Sequence, residues 1–193
     1  MKIEETPKRK KRCWLNSDEQ EQLIEYFDDE PIKQLAVRLM LTSGMRVSEV
    51  VEVSATDVQE TDADYSLIDV NDSKTGSRQT LLTDTTRQQL TTVANVRGLK
   101  ASESIVDNAV RTVQHWVSRA CDDLSDTTGN HQWDHVSCHD LRRTWATSLI
   151  HKGIPSDIVM DWGGWQSHDT FRRHYYSLSD QQIADQLQDA GIV

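Results

Sequence analysis

Several things are missing from this 193-residue chain. It has no run of about 18 apolar residues, so no helical membrane span is expected. Met1 is followed by charged residues instead of an apolar leader core, which points to a cytoplasmic protein. Cysteine is scarce: Cys13, Cys121 and Cys138 are an odd number and widely spaced. That argues against a disulfide framework or a compact zinc motif and leaves three reduced, structural thiols. Glycine-rich phosphate loops, carboxylate clusters and Cys/His ligand sets are absent too, so neither a metal nor a nucleotide cofactor is expected. No internal repeat or low-complexity tract interrupts a length that suits one domain with its own core.

Charge of one sign is also short. The chain holds 21 Lys and Arg against 31 Asp and Glu, a net charge of −10, and 21 of those acids are aspartate. A carboxylate-rich surface keeps a protein soluble in a high-salt cytoplasm, which is one origin for this balance. The cations that remain are unevenly placed. Residues 1–12 carry six of them and a net +4, and residues 139–176 carry five with four histidines and a net +1. A basic groove on an acidic body is therefore compatible with the composition.

Along the chain, residues 1–13 are polar and aperiodic, with five consecutive cations from Lys8 to Arg12, and read as a basic flexible tail. Such a run is either a solvated tail or an arm that lies on phosphates. Residues 14–193 read as one folded domain. Ser17 caps a helix to about Phe27, with acids in its first turn. Pro31 opens a second helix whose buried stripe is Ile32, Leu35, Ala36 and Leu39, and Gly44 suits the left-handed residue just past its end. A short helix starts at Arg46 and runs to about Val53. Residues 65–70 and 79–82 flank the turn-rich segment 71–77 and read as a β-hairpin. Helices follow near 84–97, 108–124, 138–152, 155–161, 168–176 and 179–190. The fold class is α+β, mainly helical, with one small antiparallel sheet.

The residues that carry chemistry are spread over this frame. Ser43-Gly-Met-Arg46-Val-Ser-Glu49 and His139-Asp-Leu-Arg142 each put a cation or a proton-transfer group at the mouth of a helix. His139 and Arg142 are three apart and share a helix face, with Arg143 close to it, so helix geometry leaves the two arginines undecided. Lys74 lies in the hairpin turn, Trp165 follows Gly163-Gly164, and Tyr175-Tyr176 come last. Two arginines, a histidine, a lysine and a tyrosine are a metal-free kit for attacking a phosphodiester. Arginine's planar fork matches phosphate oxygens in pairs and its charge does not titrate away.

In this order the kit resembles the tyrosine recombinase (phage integrase) family, over nearly the whole chain from Trp14 and in the family's C-terminal catalytic domain. The resemblance implies a site-specific DNA recombinase that cleaves and rejoins strands through a 3′-phosphotyrosine. The histidine-x-x-arginine pattern selects Arg142 over Arg143. Arg46 would grip the scissile phosphate with Glu49 orienting its neighbours. Lys74 would be a general acid for the departing 5′-oxygen, His139 a proton acceptor or phosphate ligand, and Trp165 an indole donor to phosphate. Tyr175, ten residues past Trp165, is the implied nucleophile, with Tyr176 its competitor. The partners implied are double-stranded DNA and further copies of the chain, assembled as a tetramer on DNA. No clamp domain of the family's N-terminal kind is expected in residues 1–13, so an accessory core-binding protein is a further implied partner. Two other readings fit the same residues: a non-catalytic regulator that occupies recombination sites, and a type IB topoisomerase-like enzyme.

Overall fold

Pro31 stands at the first turn of the helix around which the other elements gather. In this computed structural model, residues 1–5, 11–62, 65–72 and 76–175 are described, with Gln188 and Gly191 besides; for Asp72 and residues 172–175 the description is of the main chain. Helix α1 is Ser17–Glu25 and α2 is Pro31–Thr42. Six α2 side chains are buried, among them Leu35, Ala36, Leu39 and Met40. The period-3.6 stripe read from the sequence is thus the central face of the core. Helix α3 (Val47–Val50) follows, then the sheet β3 (Val58–Glu60), β4 (Ser66–Asp72) and β5 (Gly76–Leu82), antiparallel throughout in the order β3-β4-β5. The remaining helices are α4 (Asp84–Val96), α5 (Val110–Thr128), α6 (Cys138–His151), α7 (Ser156–Gly163) and α8 (His168–Tyr175).

Helices α1, α4, α5 and α6 pack against α2, while β5 lies on α7. One apolar cluster runs from Cys13 to Leu141. A second, Trp145, Ala146, Ile150, Val159, Met160 and Phe171, joins α6, α7 and α8. The mainly helical α+β class expected from the sequence is the observed one.

Three expectations are corrected. The presumed flexible tail contains two strands at the amino end, Lys2–Glu5 (β1) and Lys11–Trp14 (β2), which pair antiparallel. The run of cations hid the reason: Cys13 alternates inward and is fully buried. Its N–H donates to Asp140 of α6 at 3.1 Å, and the N–H of Leu15 donates to Thr144 at 3.0 Å. The cap of α1 is Asn16, not Ser17. Asn16 Oδ1 accepts from the Glu19 N–H and Glu19 Oε2 accepts from the Asn16 N–H, both at 2.9 Å, closing a capping box. The helix after Arg46 stops at Val50, and β3 was not anticipated. The expected helix at 179–190 lies outside the described residues, Gln188 excepted. Among the described residues, no helix is long and apolar enough to cross a membrane.

Candidate active site

The site starts at a corner. Ser43 ends α2 and Gly44 follows with φ +62°, the left-handed conformation that glycine tolerates best. A Cβ on Gly44 would sit 2.1 Å from the Trp145 ring, so this corner and α6 pack directly. Thr80 of β5 fastens the same corner by donating to the Ser43 carbonyl at 2.8 Å. Arg46 is thereby delivered at the N-cap of α3, its side chain 31% exposed at the rim of a cleft of about 480 Å³.

That cleft brings together Arg46 and Ser48 of α3, Gln114 and Ser118 of α5, and His139 and Arg142 of α6. His139 is exposed at the first turn of α6, one residue past Cys138. The structure also separates the two adjacent arginines. Arg143 turns away to ion-pair with Asp140, whose carboxylate also accepts from the N–H groups of Cys13 and Ser137. It therefore holds β2 and the start of α6. Arg142 points inward, 2% exposed, and is among the residues that line the cleft.

Arg142 is held on several sides. Nη1 donates to the Gly44 carbonyl at 2.5 Å, Nη2 donates to the Gly163 carbonyl, and the guanidinium lies 4.4 Å from the centre of the Trp165 ring. Trp165 itself stacks on Trp145 at 6.1 Å and touches Phe171 at 5.1 Å. Its ring face is thus a platform for a buried cation, an arrangement that gains strength from desolvation.

Below the cleft Glu49, 4% exposed, collects three arginines. Its Oε1 takes Arg46 Nη1 at 2.6 Å and Arg78 Nη1 at 2.7 Å. Its Oε2 takes the Arg46 N–H at 2.5 Å and Arg78 Nη2 at 2.9 Å, with Arg142 Nη1 at 3.9 Å. Burial pushes this carboxyl up, but the hydrogen bonds and charges of Arg78, the Arg46 main chain and the Arg142 charge outweigh it and hold it below its ordinary 4.5. Glu49 is therefore a fixed anion that neutralises part of a dense cationic cluster.

Arg78 carries no signal in the sequence reading, because it falls between the turn segment 71–77 and a strand expected from Gln79. The strand starts at Gly76, so period-two alternation puts Arg78 on the face of the buried Thr80 and Leu82. Of the other expected site residues, Lys74 and Tyr176 lie outside the described residues. The main chain of Tyr175 ends α8, a helix seated by the fully buried Phe171. Among the described residues, no group of three or more His, Cys, Asp or Glu is arranged to hold a metal.

A helical frame presenting two arginines and a histidine to one cleft is equipped to bind a phosphodiester. The chain belongs to the phage integrase family, whose profile matches residues 13–182. It is 27% identical over 180 residues to the integrase of Salmonella phage P22, covering 87% of this chain and 44% of that protein. The chain thus spans less than half the length of this relative. Among solved structures, XerA recombinase is similar with a TM-score of 0.72 and 20% identity, covering 92% of this chain and 65% of that one. A pre-cleavage complex of XerH site-specific recombinase bound to its difH substrate gives 0.67 and 18%, covering 90% and 52%. At these identities the structural likeness is one of fold.

Proposed function

We propose that this chain is the catalytic domain of a site-specific DNA recombinase or integrase that works through a 3′-phosphotyrosine. The observation that carries the reading is the convergence of Arg46, His139 and Arg142 on one cleft, with Glu49 fixing the arginines from beneath. Family membership and the likeness to a site-specific recombinase bound to its difH substrate support double-stranded DNA as the substrate class.

The chemistry follows from the groups. The Tyr175 hydroxyl attacks the scissile phosphorus, forming a phosphotyrosine bond and breaking the bond to the 5′-oxygen. Negative charge grows on the non-bridging oxygens, where Arg46 and Arg142 are already in place to meet it. A phenol with a reference pKa of about 10 needs such a cationic setting, and His139 takes its proton. Lys74 protonates the departing 5′-oxygen. The free 5′-hydroxyl of another strand then reverses the step without ATP, because the phosphodiester energy is kept in the covalent link. Strand exchange needs several active sites on DNA, and we assign the chain to a tetramer there, with an accessory clamp protein as a further partner.

The test is a duplex nicked just past the scissile phosphate, carrying the attachment sequence that adjoins the coding region. A covalent protein–DNA adduct on a denaturing gel, abolished by Tyr175→Phe and retained by Tyr176→Phe, is the expected result. Tight binding without an adduct would make the chain a regulator of another recombinase.

A further inference from the structure

Arg78 belongs to no part of the chemistry above, yet it is 8% exposed and makes three charge-assisted or carbonyl hydrogen bonds to two other elements. Its Nη1 and Nη2 form a two-point fork on Glu49, and its Nε donates to the Trp162 carbonyl at 2.8 Å. We propose that Arg78 is a positioning residue, a latch that sets Arg46 and Arg142 by locking the Glu49 carboxylate and the end of α7 to the same strand. The proposal rests on the recombinase reading for its catalytic consequence, though not for its geometry.

The argument begins at the end of α7. The last carbonyls of a helix lack partners within it, and cations are favoured there. The neighbouring carbonyls of Trp162 and Gly163 are taken by Arg78 and by Arg142 respectively. The turn that follows is built to admit the first of these. Gly164 has φ +66°, and a Cβ there would come 2.9 Å from Arg78 Cδ. A Cβ on Gly163 would sit 1.9 Å from the Trp165 ring, so the glycine pair lets Arg78 and Trp165 approach the same backbone from two sides.

At its other end the latch restricts Glu49. Each oxygen of that carboxylate is shared between Arg78 and Arg46, so the carboxylate cannot rotate without breaking bonds to both. A planar fork fixes a carboxylate in orientation as well as place, which a single ammonium does not. Because Arg78 lies on β5, opposite Val70 of β4 and two pairs from the Asp72–Gly76 end of the ladder, it also ties the hairpin that carries Lys74 in its connecting segment to α3 and α7.

The charged groups around Glu49 come from several elements. Arg46 caps its own helix, Arg78 comes from β5 and Arg142 from α6. Glu52, Asp57 and the β4 residue Asp69 line a small cavity on its other flank, and the α5 residues Gln114 and Ser118 near the cleft are uncharged. Burial pushes the Glu49 carboxyl up and Arg78 is the largest influence holding it down, so loss of Arg78 would move it upward.

Two variants separate orientation from charge. Arg78→Met removes both; Arg78→Lys keeps the charge and removes the fork. On the nicked duplex, both should slow single-turnover cleavage by about 100-fold, the scale of a displaced reacting group, with DNA binding little changed. Only Arg78→Met should carry the acid limb of the rate to higher pH, from easier protonation of Glu49. The Nε–H resonances of Arg46 and Arg142 in the DNA-free full chain, assigned from Arg46→Lys and Arg142→Lys spectra, should shift or broaden in both variants. Unchanged resonances, or wild-type cleavage in a folded variant, would overturn the latch. If Arg78→Met does not fold, Arg78→Lys decides by the same spectra and rates. A wild-type chain that never cleaves overturns the recombinase reading, and the spectra then decide the latch alone.

Discussion

Adjacent arginines with opposite duties are the sharpest case of environment deciding chemistry in this molecule. Arg142 faces the cleft, stacked on Trp165, while Arg143 is buried in an ion pair with Asp140. Arg142→Ala should therefore abolish cleavage and weaken phosphate binding while Arg143→Ala should chiefly destabilise. Removing one partner of a buried pair costs about 3–5 kcal/mol, readable in a urea melt. Full cleavage by Arg142→Ala would remove it from the site. The thiols give a second test at this scale. Burial pushes Cys121 and Cys138 up to about 12 and Cys13 up to about 11, from an ordinary 9.0. A thiol held neutral in the fold ionises in the unfolded chain first, so its stabilising effect is intact below pH 9 and fades as pH rises toward 12. Native protein should show no thiolate absorbance at pH 9.5 and should lose melting temperature beyond that pH. Early thiolate formation would contradict the burial.

Among the elements, those legible in the sequence carry local signals, and those missed depend on distant partners. Pro31, Gly44 and the apolar stripe of α2 are local, as are the start of α4 at Asp84 and of α6 at Cys138. The hairpin of β1 and β2 was hidden because it rests on Asp140 and Thr144, more than 120 residues away. The candidate site follows the same rule. Arg46, His139 and Arg142 were legible because the family pattern and helix spacing mark them. Arg78 was not, because its meaning comes from Glu49 and the Trp162 carbonyl. Gly44 joins the two kinds of signal. Gly44→Ala meets both a left-handed φ and the Trp145 ring, so it should lower the melting temperature and also displace Arg46. Cleavage should fall further than stability alone explains. An Ala variant with wild-type melting and cleavage would show that the corner is not constrained as described.

At the scale of the whole molecule, two electrostatic demands oppose each other. The body carries −10 overall, while the cleft concentrates Arg46, Arg142 and His139. Salt screens repulsion among the surface aspartates, so the melting temperature should rise with KCl. Binding to DNA releases counterions, so affinity should fall over the same range. A flat melting response would count against adaptation to a salt-rich interior. Cleavage itself should persist in excess EDTA. The most direct test of the central claim remains peptide mass spectrometry of the adduct formed with the nicked attachment duplex. A phosphodeoxynucleotide mass on the peptide containing Tyr175, lost in Tyr175→Phe, is the expected result; a bound but unmodified chain, or modification at another residue, would contradict it.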